Sequence, residues 1–146
     1  MMIRGLCLLL LSGSVAALPI AAVGSSTVYI IRHGEKNWAL GCLSPQGESR
    51  ANALPGVFNG QPSSQHVTFS APQFLFANRY DDPVDCERCV QTLSPTAAAL
   101  QLPINNTYGY PPWIGGNSKG AAAIKQTLVE NPGSTVLVAC PSYEAG

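Results

Sequence analysis

The chain has 146 residues, of which 46% are hydrophobic and 11% charged, which is enough for one globular domain and too few for two of ordinary size. Eight lysines and arginines balance eight aspartates and glutamates, so the formal net charge is zero. This balance argues against nucleic-acid binding and against electrostatic attachment to an anionic membrane, since both need a basic surface. We therefore expect any anionic ligand to be bound by a local site.

Residues 1–24 are typical of a secretory signal peptide. Arg4 supplies the positive start, an apolar run begins at Leu6, and small residues at 16–17 and 21–22 offer cleavage points. Polar residues and a proline interrupt the apolar run, which disfavours a membrane anchor because the hydrocarbon core of a bilayer is about 30 Å thick. The sequence predicts a secreted mature chain over residues 25–146, with no membrane attachment.

Three short apolar runs predict buried strands, at 27–31, 74–77 and 135–139. The first helix is predicted to begin at Ser44-Pro45, with a capping hydroxyl before a proline, and to kink or end at Pro55.

The second helical region is predicted after the second strand. Asp85 is the expected cap of a helix that runs to Leu93, and Ser94-Pro95 is expected to start another. A third helix opens at Asn117 or Ser118 and stops before the last strand at the sequence Asn131-Pro132-Gly133.

The alternation of strands and helices predicts an α/β fold with a mostly parallel sheet flanked by helices, since parallel neighbours need helical crossovers. Ligands of such sheets bind beyond the carboxyl ends of the strands. The stretches 59–72 and 101–116 are rich in turn-forming residues and lack a helical period, so both are predicted to be loops.

Four cysteines lie beyond the signal segment, and in a secreted chain they predict disulfides whose pairing stays open. Cys86 and Cys89 also have the spacing of a thioredoxin-type redox pair, but the strand and tight turn that such a pair needs do not precede them. Asn105-Asn106-Thr107 is a glycosylation sequon in a polar stretch, which makes Asn105 a candidate glycosylation site.

The segment Arg32-His33-Gly34-Glu35 follows the first predicted strand directly, where an open sheet presents its ligand site. An imidazole next to a permanently charged guanidinium is suited to attack a phosphoryl group, because the arginine binds phosphate oxygens while a ring nitrogen reacts with phosphorus. Gly34 would let the backbone approach an anion closely.

This segment resembles the signature of the histidine phosphatase superfamily, the phosphoglycerate-mutase-like proteins, in which Arg-His-Gly closes the first strand. The likeness continues through Leu43-Ser44-Pro45-Gln46-Gly47 and Arg50-Ala51, and Arg88-Cys89-Val90-Gln91-Thr92 resembles the family's second arginine motif. It is closest to the small secreted fungal members. The resemblance implies a phosphoglycerate-mutase-like fold and a phosphatase without cofactor or metal.

The resemblance also implies roles for individual residues. His33 would accept the phosphoryl group, with Arg32 and Arg88 as catalytic clamps on the phosphate. Arg32, Gly34, Glu35 and Arg88 would bind the substrate. The general acid stays open among Glu35, Asp81, Asp82 and Glu87.

Members of this family carry a second histidine just after the strand that corresponds to 135–139. Here Cys140-Pro141 follows that strand, and the other histidine of the chain, His66, falls in a polar loop. We therefore expect an incomplete active site and a partial domain without the family's last strand and closing helices.

Two functions follow from these observations. The first is a secreted phosphoric-monoester hydrolase, or a related phosphotransferase, that acts through a phosphohistidine at His33 and is impaired by the missing histidine. The alternative is a catalytically inactive secreted relative that binds anions or protein partners. The expected ligand is a small phosphorylated substrate or inorganic phosphate, and whether the chain is an enzyme stays open.

Overall fold

A computed structural model describes residues 24–37, 39–80, 86–110 and 116–140, so nearly all of the predicted signal segment lies outside it. In chain order the elements are β1 (Thr27–Arg32), α1 (Pro45–Val57), β2 (Phe74–Ala77), β3 (Arg79–Tyr80), α2 (Arg88–Leu100), β4 (Ile104–Asn105), β5 (Gly109–Tyr110), α3 (Gly116–Glu130) and β6 (Thr135–Cys140). Within these described residues no helix is both long and apolar enough to cross a membrane.

The central sheet has four parallel strands in the order β1-β6-β2-β4, which confirms the predicted α/β fold with a parallel sheet. All three predicted strands are present. The register places Ile31 beside Ala139 and Ala139 beside Ala77, so β1, β6 and β2 end at the same edge. The residues that follow β1 and β2, among them His33 and Asn78, therefore lie at the carboxyl edge, where parallel sheets bind ligands.

The two faces of the sheet are covered by different helices because successive strand side chains point in opposite directions. On one face α1 and α2 cover a core that includes Phe58, Leu75, Leu93 and Leu137. On the other, α3 covers a second core built from Phe76, Tyr108, Val136 and Val138. On this face Ile30 of β1 is 70% exposed.

The helix ends follow the sequence signals in part. Ser44 caps α1 as predicted, its hydroxyl accepting a hydrogen bond from the Gly47 amide at 3.2 Å. The predicted break at Ser94-Pro95 is wrong, since α2 runs through Pro95 without interruption. Leu93 and Thr96 are both fully buried, so packing on the sheet outweighs the hydrogen bond that the proline removes.

The start of α2 and the predicted loops also differ from expectation. The N-cap of α2 is Glu87, so Asp85, which lies outside the described residues, is not the cap. The stretch 101–116 contains the short strands β4 and β5, which pair with β2 and β3. Strands of two residues leave too little alternation to be recognised in a sequence.

Candidate active site

His33 directly follows β1 at the carboxyl edge and is 4% exposed. Its Nδ1 lies 2.6 Å from the carbonyl oxygen of Gly34. Because a carbonyl oxygen only accepts hydrogen bonds, Nδ1 carries the proton and Nε2 holds the lone pair. The Nε2 atom accepts a hydrogen bond from Nε of Arg88 at 3.2 Å. The ring is thus held in the tautomer that presents Nε2 as a nucleophile.

The surroundings of His33 favour its neutral form. Burial lowers the pKa of His33 below that of an ordinary histidine, and the positive charges of Arg88, Arg32 and Lys36 lower it further. The hydrogen bond to the Gly34 carbonyl opposes this shift without reversing it. At neutral pH the imidazole therefore keeps the lone pair that an attack on phosphorus requires.

Arg88 is the first residue of α2, and its half-buried guanidinium faces the loop that follows β1. Besides the bond to His33, Nη1 donates to the carbonyl oxygen of Gly41 at 3.4 Å. One turn further along α2, the Thr92 hydroxyl donates to the Arg88 carbonyl at 2.8 Å and accepts the Gly34 amide at 2.9 Å. Buried residues of α2 therefore fix the arginine beside the histidine.

Gly34 is accounted for by packing. A Cβ atom at this position would lie 2.8 Å from the carbonyl oxygen of Gly47, closer than side chains approach backbone oxygens. Its amide is already donated to Thr92. The glycine lets the end of β1 contact the first turn of α1, and its predicted role in anion binding stays a prediction.

A pocket beside His33 is lined by Arg32, His33, Glu35, Lys36 and Arg50. Glu35 Oε1 forms an ion pair with the Arg50 guanidinium, while Glu35 Oε2 is buried and has no hydrogen-bond partner among the described residues. Three cationic side chains and one anionic side chain leave a net charge of +2 around the neutral imidazole. The pocket is therefore electrostatically suited to a small dianion.

The predicted site residues thus come together in two groups that share His33. Arg32 and Glu35 line the pocket, whereas Arg88 approaches the imidazole from α2. Arg50 and Thr92 received no role from the sequence. The helical spacing gave a signal for Arg50. It follows Gly47 by three residues on α1 and therefore lies on the same helix face, which packs against Glu35.

Other predicted residues lie apart from this pocket or outside the described chain. His66 is in the loop before β2, where its ring lies 5.8 Å from that of Phe69, and it does not line the pocket. Asp81 and Asp82 lie outside the described residues, and Glu87 caps α2 next to Arg88. In β4, Asn105 Oδ1 accepts hydrogen bonds from the amide and hydroxyl of Thr107.

A disulfide joins Cys42 and Cys86 next to the site, and Cys89 is buried and lies outside this disulfide. The alternative redox pair of Cys86 with Cys89 is therefore excluded, because Cys86 is bonded elsewhere. Across the described ranges no group of three or more histidine, cysteine or acidic side chains is arranged to hold a metal ion.

A scan against protein-family models finds no model that matches this chain, and a search of curated proteins finds no match.

Proposed function

We propose that this chain is a phosphoric-monoester hydrolase of the histidine phosphatase kind, which reacts through a phosphohistidine at His33. The observation that carries the proposal is the state of this imidazole. Its proton is held on Nδ1 by the Gly34 carbonyl, and burial, together with the neighbouring cations, lowers its pKa. A neutral nitrogen nucleophile among fixed positive charges is what transfer of a phosphoryl dianion needs.

In the first step, the substrate phosphate displaces His33 Nε2 as the acceptor of the Arg88 hydrogen bond. The freed lone pair attacks phosphorus, the Nε2–P bond forms, and the bond from phosphorus to the ester oxygen breaks. The leaving oxygen takes a proton from a general acid and departs as an alcohol. Arg88 and Arg32 stabilise the charge on the transferring oxygens.

In the second step, water gives a proton back to the group that acted as general acid and attacks the phosphorus, the P–Nε2 bond breaks, and inorganic phosphate leaves with the neutral imidazole restored. The Nδ1 proton stays on the ring throughout, held by the Gly34 carbonyl. Of the predicted general acids that the structure describes, Glu35 lines the pocket, but it is ion-paired with Arg50 as a carboxylate, so the general acid stays open. The buried Oε2 of Glu35 suits a hydroxyl donor of the substrate.

The proposal includes the finer fold and the location of the protein. A phosphoglycerate-mutase-like domain is supported by Arg-His-Gly at the end of β1 and by an arginine at the start of the helix after β2. Secretion is supported by the Cys42–Cys86 disulfide, because disulfides persist in oxidising compartments.

The second candidate, a catalytically inactive anion-binding protein, is favoured by a different observation. Arg88 donates to the nitrogen that would have to attack. In addition, the other histidine of the chain, His66, does not line the pocket. A site in which phosphate pairs with Arg88 while His33 never reacts would bind the anion without turnover.

Hydrolysis of an aryl phosphate by the purified mature chain tests the proposal. We expect turnover that disappears in His33→Ala and persists in His66→Ala, the matched control for the other histidine. An acid-labile phosphoryl group on His33 should be trapped by rapid quenching and mass spectrometry. A folded chain that binds phosphate without turnover would establish the second candidate, and one that does neither would overturn both.

A further inference from the structure

The segment that follows His33 forms a closed loop that carries Cys42. The Asn37 amide donates to the Cys42 carbonyl at 2.7 Å, and the Gly41 amide donates to the Asn37 carbonyl at 2.8 Å. Lys36 and Leu43 form an antiparallel bridge at the base of the loop. These bonds hold the two ends of the loop 36–43 together.

Cys86 lies directly before α2, two residues ahead of Arg88. The Arg88 amide donates to the Cys86 carbonyl at 2.8 Å, so the backbone of these residues is coupled. The disulfide joins Cys86 to Cys42 of the loop 36–43. It therefore links the start of α2 covalently to the segment that follows the nucleophile.

The Arg88 guanidinium connects the same two parts of the chain as this disulfide, the start of α2 and the segment that follows β1. Its Nη1 donates to the carbonyl oxygen of Gly41, the residue before Cys42. Its Nε donates to Nε2 of His33, the residue that directly follows β1. These two acceptors, His33 and Gly41, lie on the segment that follows β1, and the arginine lies at the start of α2. A change in the distance between loop and helix would therefore move the guanidinium away from the imidazole.

Other contacts hold the body of α2 to the same segment independently of the disulfide. The Leu43 amide donates to Gln91 Oε1 at 3.1 Å, and the Gly34 amide donates to Thr92 Oγ1 at 2.9 Å. Both acceptors lie in the turn of α2 after Arg88, and Leu93 beyond them is fully buried. Loss of the disulfide should thus loosen the first turn of α2 and leave the helix docked.

We propose that Cys42 and Cys86 are positioning residues, whose disulfide holds the Arg88 guanidinium against His33 and so keeps the phosphate clamp in place. The part of this inference that concerns phosphate rests on the proposed function. The part that concerns the placement of Arg88 does not, because it can be measured on the free protein.

The test is a double-mutant cycle read by NMR titration of the His33 ring. The charge of Arg88 lowers the pKa of His33, so Arg88→Ala should raise it. The variant Cys42→Ser/Cys86→Ser should raise it in the same direction, and should cause no further rise in the Arg88→Ala background. Gln91→Ala, which removes a different tie between loop and helix, is the matched control and should leave the titration unchanged.

An unchanged His33 titration in the double serine variant would overturn the inference. A rise in the pKa of His33 of equal size in the wild-type and Arg88→Ala backgrounds would also overturn it, because the disulfide would then act independently of Arg88. Should the serine variant fail to fold, phosphine reduction of the folded wild-type chain gives the same comparison in the same spectrum.

Calorimetric titration with inorganic phosphate adds a second reading. Loss of the disulfide should weaken phosphate binding about tenfold when Arg88 is present and leave it unchanged in Arg88→Ala, as expected for misplacing one charge-assisted hydrogen bond. A wild-type chain that binds no phosphate would contradict the proposed function, while the NMR cycle would still decide on the placement of Arg88.

Discussion

Two strands of the central sheet end at the same edge in buried polar residues, yet their surroundings differ. His33 after β1 is 4% exposed, and Asn78 after β2 is 3% exposed. Both ring nitrogens of His33 have partners, and three cations lower its pKa. Asn78 has one long amide bond, to Asn117 at 3.4 Å, and its Oδ1 has no hydrogen-bond partner in the described part of the chain.

His33 and Asn78 thus share burial and a position at the carboxyl edge, and they differ in the charges that surround them. The end of β1 combines a buried imidazole with fixed guanidinium groups, the combination that the proposed phosphoryl transfer requires. At the end of β2 the buried side chain is a neutral amide, Asn78, and the guanidinium of the next residue, Arg79, is exposed. We therefore expect substitutions at the first end to change function and those at the second to change stability slightly.

The largest effect should come from Arg88→Ala, which removes a positive charge from the β1 end. We expect turnover of an aryl phosphate to fall about 10²–10³-fold, the usual cost of losing one donor that stabilises a transition state. Steady-state kinetics measure this change. Arg79→Ala removes the same charge beside the end of β2 and is the control. An equal loss of turnover in this variant would contradict a functional difference between the two ends.

The pH dependence should show the low pKa of His33. Because the neutral ring reacts, kcat/KM should be independent of His33 ionisation at neutral pH and fall about tenfold per pH unit below the pKa of this residue, which lies under the ordinary value of about 6.5. In a variant that retains measurable activity after loss of Arg88, this limb should move to higher pH. An acid limb above pH 6.5 in the wild type would contradict the shielding of the imidazole by burial and charge.

The same shift affects stability with a definite sign. Between the folded pKa and about 6.5, the unfolded chain binds more protons at His33 than the folded chain, so stability should rise with pH across this window.

A smaller effect is expected from Glu35→Gln. The carboxylate pairs with Arg50 and repels a dianion in the same pocket, so its neutralisation should tighten inorganic phosphate binding about threefold to tenfold, in the range of partly exposed ion pairs. Glu48→Gln, on the exposed first turn of α1, is the matched control for the charge. Weaker phosphate binding in Glu35→Gln, measured by calorimetry, would show that Glu35 supports the anion.

The smallest effect is expected at the end of β2. Asn78→Ala removes a buried oxygen without a partner together with one long hydrogen bond, so the free energy of unfolding should change by less than about 1 kcal/mol. Turnover should be unchanged. A clear loss of activity in a variant with normal denaturant unfolding would extend the functional site across the sheet edge to Asn78.

Several features could be read from the sequence because they depend on neighbouring residues. Ser44-Pro45 determines a helix start locally, through a side-chain cap and a proline with the right φ. The strand β6 is a continuous apolar run, buried on both faces, which identifies it without knowledge of its partners. His33 was marked by its position after β1 and by the arginine and glycine on either side.

Other features could not be read because they depend on contacts distant in sequence. Pro95 was expected to break α2, but the burial of Leu93 and Thr96 against the sheet decides the outcome. The pairing of Cys42 with Cys86 spans 44 residues and depends on how the loop 36–43 meets α2. Nothing in the local pattern distinguishes this pairing from the alternatives.

By itself the sequence determined the alternation of strands and helices and the parallel sheet, while the reaction at His33 stays a prediction. The alternation and the sheet follow from periodicity, capping and turn chemistry, all of which act over a few residues. The tertiary structure decided the tautomer of His33, the ion pair between Glu35 and Arg50, and the placement of Arg88 beside the imidazole. Such properties depend on burial and on distances between charges, which exist only once the chain is packed.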